Sequence, residues 1–269
     1  MSQVTNLAYY YERARKVRGG RSVWVKDSNG ESRKNVLLGG TILNPNKGFG
    51  HLWAAQLVQY TPGEGCLIFR SFEVAANAAN NATSVKIKGD GFSDVPEVGQ
   101  YLMIAPKSID VNTIGSTSEL TVSNSKVDLS DATFSETAST YTGVYAKVTA
   151  VAYDATNAQF TLTLENAFGT ALTAGDILVE SNAAVDLAED SPTGSAPLLV
   201  PNPNTFIEAD VDILPTEGYG LMTDSEGVST ANYSISTVHD KEAWIAKMQP
   251  LPGYVLAKNR SYIKGIFWI

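Results

Sequence analysis

In the run from Phe206 to Leu214, Glu208, Asp210 and Asp212 recur at every second position, so in a strand their carboxylates all point to one side. Such a row is what binds a hard cation or works in pairs on a glycosidic bond. It is equally the wet half of an amphipathic strand whose dry half is Ile207, Ala209, Val211 and Ile213, and that is the plainer account. His51 and His239, the only two histidines, stand far apart, and neither has a Cys or His at metal-binding spacing. Each is expected to be structural. Asp224-Ser225-Glu226-Gly227 opens like a calcium loop but lacks the later ligands and the distal acid, which leaves a turn. The sequence contains no G-x-S-x-G elbow, no H-E-x-x-H and no phosphate-cradling glycine loop. The expectation is therefore no catalytic residue, no metal site, no cofactor and no enzymatic activity.

The lone cysteine, Cys66, excludes an internal disulfide framework, and its neighbours Leu67, Ile68 and Phe69 predict a buried, inert thiol. At 269 residues, 43% hydrophobic and 18% charged, the chain is long and apolar enough to bury a sizeable core. No apolar run approaches the length of a membrane span, and the first residues do not form a secretory leader. The net charge of −8 argues against general nucleic-acid binding, which needs a summed positive field. That charge is uneven. Residues 1–35 hold eight Lys or Arg against three acids, a surplus of five, so the remainder carries thirteen net negative charges.

The positive surplus begins in an N-terminal arm, residues 1–21. Tyr9, Tyr10 and Tyr11 are followed by Arg13, Arg15, Lys16, Arg18 and Arg21, with too few apolar positions for an independent helix. Tyrosines beside cations suit a grip on an acidic protein surface, and a frayed, solvated terminus is the competing account. Arg18-Gly19-Gly20-Arg21 hints at RNA contact, but one copy in an acidic chain is outweighed by the net charge. Trp24, Trp53, Trp244 and Trp268, with twelve tyrosines, are also the material of a sugar-binding platform, although no stripe gathers them on one exposed face.

Residues 22–81 read as a β segment. Ser22 to Lys26, a turn at Asp27-Ser28-Asn29-Gly30 and a strand at Asn35 to Leu38 predict a hairpin. In HLWAAQLVQYTP, strand and helix periods both fit. CLIFRSFEV predicts a central strand covered on both faces, and Ala75 to Ala82 predicts a linker. Residues 82–180 are the organising module. Val85 and Ile87 alternate with Ser84, Lys86 and Lys88, and Gly89-Asp90-Gly91 turns the chain. Tyr101 to Ile104 is a short strand stopped by Pro106. After an insert at 107–142, a strand at Val144 to Val151 leads through the turn Asp154-Ala155-Thr156-Asn157 into Phe160, Leu162 and Leu164. Within the insert, Leu120 to Val122 and Lys126 to Leu129 predict a projecting hairpin, read as an outward or subunit-contacting arm, with a solvated decoration of the loop as the competing account.

This order of strands, and above all Lys147 to Val151 and Ala171 to Glu180, resembles the small β-barrel module of capsid decoration and head-fibre proteins of tailed bacteriophages. It is most similar to those of crAss-like and other Bacteroidetes phages. The likeness covers about a third of the chain and rests on pattern, with no catalytic motif in it. It implies a virion structural protein on the capsid surface, made in the host cytoplasm. Its implied partners are the major capsid protein and neighbouring copies of itself, with neither nucleic acid nor membrane. The alternative is a glycan- or host-surface-binding β module of a tail or fibre.

Residues 181–205, with prolines at 192, 197, 201 and 203, predict a surface-running linker, and 206–269 a C-terminal β-rich segment. That segment has strands at Phe206 to Leu214, Tyr233 to Val238 and Tyr262 to Ile269, the last expected to end buried. Trp244, Ile245 and Met248 place one short helix at Lys241 to Met248. The predicted fold is mainly β: small β-barrel or sandwich modules with an N-terminal extended arm and one short C-terminal helix.

Overall fold

The computed structural model describes residues 36–40, 44, 51–62, 64–89, 95–106, 108–113, 116–121, 132–134, 141–183, 194–207, 211–212, 222–223, 229–230, 235–239, 242–245, 248–259 and 263–264. The first strands are β1 (Val36–Gly40), β2 (His51–Leu52), β3 (Leu57–Thr61), β4 (Gly65–Ile68), β5 (Ser71–Glu73), β6 (Ser84–Lys88) and β7 (Tyr101–Ile104). The insert holds β8 (Ser108–Thr113), β9 (Ser116–Thr121) and β10 (Ala132–Phe134), and β11 (Thr142–Asp154), β12 (Gln159–Leu164), β13 (Ile177–Glu180) and β14 (Ser195–Pro197) follow. Then come β15 (Thr205–Ile207), β16 (Val211–Asp212), β17 (Met222–Thr223), β18 (Ser229–Thr230), β19 (Ile235–His239) and β20 (Ala243–Trp244). The helix α1 (Gly253–Asn259) and β21 (Ile263–Lys264) complete the described elements.

The fold is mainly β, with one short C-terminal helix. A seven-stranded sheet runs β5-β13-β7-β11-β12-β6, with β14 paired to the start of β11, and a five-stranded sheet runs β1-β19-β15-β3-β4. The period-two stretches form as their patterns dictate. β6 alternates exposed and buried residues, and Phe160, Leu162 and Leu164 of β12 point inward beside Val85 and Ile87. β11 is thirteen residues long and serves two neighbours in turn: Tyr145 to Lys147 pair with β7, and beyond an irregularity at Val148 to Ala150 the strand pairs with β12. Asp154 then closes the β11–β12 turn by accepting from the amides of Thr156 and Asn157.

The sheets are not closed into a barrel. The end strands β5 and β6 of the larger sheet meet at one bridge, Val74 to Ile87, and one bond from the Ala75 amide to the Lys86 carbonyl. β5, three residues long, is too short to sustain a full ladder. β7 and β13 are the wall between two cores. Leu102 and Leu178 face inward with Phe72, Ile87, Val148 and Phe160. Met103 and Val179 face the other way, where Leu57 and Phe206 of the second sheet and Tyr254, Val255 and Leu256 of α1 pack on them.

Four expectations change. CLIFRSFEV is not one central strand but two edge strands, β4 of the smaller sheet and β5 of the larger, broken at Phe69-Arg70 where the chain crosses between sheets. It is covered on both faces, as expected, because the crossing lies beneath the C-terminal segment. The helix forms at Gly253–Asn259, not at Lys241 to Met248. Pairing with β21 holds Ala243 and Trp244 extended, while the Pro252 carbonyl accepts from the amides of Val255 and Leu256 to start α1. In the insert, β8 and β9 make the hairpin and β10 joins β8, whereas Lys126 to Leu129 lie outside the described residues. In the Pro-rich stretch, Ala196, Leu198, Leu199 and Val200 are buried rather than surface-running, because β14 adds to β11 there.

Candidate functional site

Most residues picked out by chemistry or by charge fall outside the described part of the chain. These are Tyr9, Tyr10, Tyr11, Arg13, Arg15, Lys16, Arg18 and Arg21 of the arm, together with Glu208, Asp210 and Asp224 to Gly227. Asp212 is described as backbone in β16, where its register partner is His51 of β2, and His239 is the partner of Val36. Among the described residues, no group of three or more His, Cys, Asp or Glu stands together to hold a metal ion. Trp53 is buried, so it is not part of an exposed aromatic platform. Cys66 is fully buried, and burial pushes its thiol up to about 11, which keeps it protonated and unreactive at neutral pH.

The polar cluster that the structure does assemble sits at the junction of the two sheets. Arg70, 1% exposed, lies in the crossing between β4 and β5. Its guanidinium donates to the Val95 carbonyl at 2.9 Å, lies 3.4 Å from Glu97 Oε1 and 3.7 Å from Glu180 Oε1, and stands 5.9 Å from the centre of the Phe72 ring. Glu180, 4% exposed at the end of β13, accepts from Gln100 Nε2 at 2.6 Å on Oε1 and from Asn44 Nδ2 at 3.1 Å on Oε2. Asn44 also pairs with the backbone of Ile68 in β4: its Nδ2 donates to the carbonyl at 2.9 Å and its Oδ1 accepts from the amide at 2.6 Å. Gln100 Oε1 in turn accepts from the Glu97 amide at 3.0 Å.

Both oxygens of Glu180 therefore meet donors, and the guanidinium of Arg70 lies between two carboxylates, which is how charge is kept inside a protein. The cluster joins both sheets through five side chains from four separate places in the sequence. Beside it, the Phe69 carbonyl accepts from Gln56 Nε2 at 3.3 Å and from Gln249 Nε2 at 2.9 Å, and Ser71 Oγ donates to the Pro250 carbonyl. With both carboxylate oxygens of Glu180 engaged and the group enclosed, its chemistry is positional. It fixes where β4, β7 and β13 sit relative to one another.

On the surface, the wet face of β6, β12 and β11 carries Ser84, Lys86 and Lys88 beside Gln159, Thr161 and Thr163, with Ala150 and Ala152 beyond them. Lys88 forms an ion pair with Glu73. Lys147 lies 5.6 Å from the centre of the Tyr101 ring, which meets Tyr145 edge-on at 5.7 Å. Lys147 to Val151 lie in β11, and Ala171 to Glu180 run through the Leu172 bridge to Ala78 into β13. The two stretches thus flank β7 on opposite sides.

Sequence reasoning missed the junction cluster. Its one local signal is a charge set inside an apolar run, Arg70 after Cys66 to Phe69 and Glu180 after Ile177 to Val179. No family model, no curated protein and no solved structure matches the chain.

Proposed function

We propose that the chain is a virion structural protein that binds the outer surface of a tailed-phage capsid, as a decoration or head-fibre component, and that it works mechanically rather than by catalysis. The observation that carries this reading is the position of the two stretches resembling such proteins. Lys147 to Val151 and Ala171 to Glu180 are far apart in sequence, yet both belong to the sheet built around β7. Their shared sheet supports the reading, although it is not closed into the barrel that the resemblance implies. The engaged carboxylates of the junction favour a stiff body over a reaction centre.

In this reading the partners are the major capsid protein and neighbouring copies of the chain. The arm, with Tyr9 to Tyr11 and its cations, and the insert with β8 to β10 reach adjacent subunits, and small contacts gain strength by repetition over a lattice. Quantitative mass spectrometry of purified particles tests it. Copies in a simple lattice ratio to the shell protein support a decoration protein, and a handful per particle supports a vertex or tail fibre. Absence from the particle removes the proposal, and a glycan array or a host-cell pull-down then tests the surface-binding alternative. In a decoration protein, deleting Met1 to Gly20 abolishes shell binding without unfolding the chain.

A further inference from the structure

We propose that the polar face of the three-stranded insert sheet is the docking surface for the basic arm, residues 1–21, of a second copy of this chain. Antiparallel partners share a face, and the registers of β8, β9 and β10 divide the insert into two unlike ones. Ile109, Val111, Leu120 and Phe134 fall on one face. Ser108, Asp110 and Asn112 of β8 fall on the other, opposite Thr121, Glu119 and Thr117 of β9. Asp110 and Glu119 are thus direct partners, and no residue of β8, β9 or β10 is Lys or Arg. Cross-strand partners stand about 5 Å apart at Cβ, where two like charges repel. β8 also runs beside α1, and an amphipathic sheet seats its apolar face and leaves the polar one wet.

The charge of the chain selects the occupant. Residues 107–142 hold two Lys against five acids, a net charge of −3, and residues 1–21 hold five Lys or Arg against one acid, a net charge of +4. Acids in and around the larger sheet are served already. Glu73 pairs with Lys88 and Glu97 with Arg70, while Asp154 and Asp176 accept from amides of their own turns. Asp110 and Glu119 have no cation at any position of their own sheet. In an extended chain, Arg13 and Arg15 would share one side about 7 Å apart, which offers each carboxylate a guanidinium that grips it with two bonds. Under the proposed function, arm and insert each reach a neighbouring copy, and here they reach one another. The contact rests on that reading for its direction between copies but needs no shell protein.

Cross-linking of the full chain tests this. Isotope-labelled and unlabelled protein, mixed and concentrated with a chelator present, are treated with a carbodiimide, which joins an amine to a carboxylate in contact. Lys16 is expected to join Asp110 or Glu119 in peptides that mix the two labels, with a yield that falls as salt rises. Sedimentation of the same protein reads association. Asp110→Asn with Glu119→Gln removes the repulsion within the hairpin, so the hairpin stays folded, and it weakens association by about fivefold. Asp110→Lys with Glu119→Lys abolishes association, and adding Arg13→Glu and Arg15→Glu restores it; the neutral pair decides where the reversed hairpin does not fold. The contact is overturned if Lys16 joins only its own copy or only other carboxylates. It is overturned equally if the chain does not associate, if the neutral pair leaves association unmoved, or if the reversed arm fails to rescue a folded reversed hairpin. Counting copies in purified particles decides the capsid reading separately, since a shell can bind a chain whose arm and insert never meet.

Discussion

Gln249 donates from Nε2 to the carbonyl of Phe69 at 2.9 Å, across 180 positions of sequence, so the C-terminal segment is bonded to the backbone where the chain passes from one sheet to the other. Gln56 donates to the same oxygen at 3.3 Å. Each donor alone keeps this buried carbonyl engaged. Gln249→Ala and Gln56→Ala are each expected to cost about 1 kcal/mol. The double variant is expected to cost more than their sum by roughly another 1 kcal/mol, because the carbonyl then loses both side-chain partners. Urea midpoints of the four proteins in the cycle measure this.

Leu178 and Val179 are adjacent in β13 yet belong to different cores. A strand that is a wall of both cores couples them. Leu178→Ala is expected to cost about 2–5 kcal/mol, and Val179→Ala less, since it removes fewer carbons. Either change should lower one common transition, followed by circular dichroism and by tryptophan fluorescence, rather than split it into two. Two separated transitions would show that the cores melt independently.

Cys66, in β4, is buried in a cluster with Leu52, Val58, Ile68 and Ile207, and burial holds its thiol at about 11. In the folded protein, iodoacetamide at pH 8 is expected to leave it unmodified over times that label it fully in urea, as read by intact mass. The sign for stability follows from the raised value. The contribution is fully present below the ordinary thiol range and falls as pH rises from there towards about 11, because only the unfolded chain releases the proton in that window. Cys66→Ala removes this alkaline loss.

Asp154 behaves in the opposite sense. The side-chain amide and backbone of Asn157 hold its carboxyl below the usual range, with the Thr156 amide and Lys86 acting in the same direction. The turn's stabilisation is therefore present above the unfolded carboxyl value and is lost as pH falls through the lower folded one. Asp154→Ala is expected to speed exchange of the Thr156 and Asn157 amides at neutral pH and to remove their dependence on acid. Nuclear magnetic resonance of those two amides checks it.

What was legible in the sequence was whatever repeats at short range. β6 and β12 announce themselves because their outer faces are wet, so Lys86 and Thr161 interrupt the apolar residues at every second place. A run buried on both faces carries no such mark, and the break at Phe69-Arg70 could not be located from period alone. The helix was misplaced because Trp244 has helical spacing with Met248 but, with Ala243, finds a strand partner in β21, a contact no local pattern encodes. The junction cluster was illegible for the same reason. Asn44 and Glu180 lie 136 positions apart, and the charge that ends the run Ile177 to Val179 hints at burial without naming its partner.

Asn44 does for β4 what a sixth strand would do. β4 is the outer strand of its sheet, and at Ile68 the amide and carbonyl that face away from β3 are both taken by one side-chain amide. A strand arriving from another molecule finds no free donor or acceptor there, so the ladder cannot be extended past Ile68 by edge-to-edge association. Replacing the side chain would leave the buried amide and carbonyl of Ile68 without these partners, at a cost that falls on the fold itself.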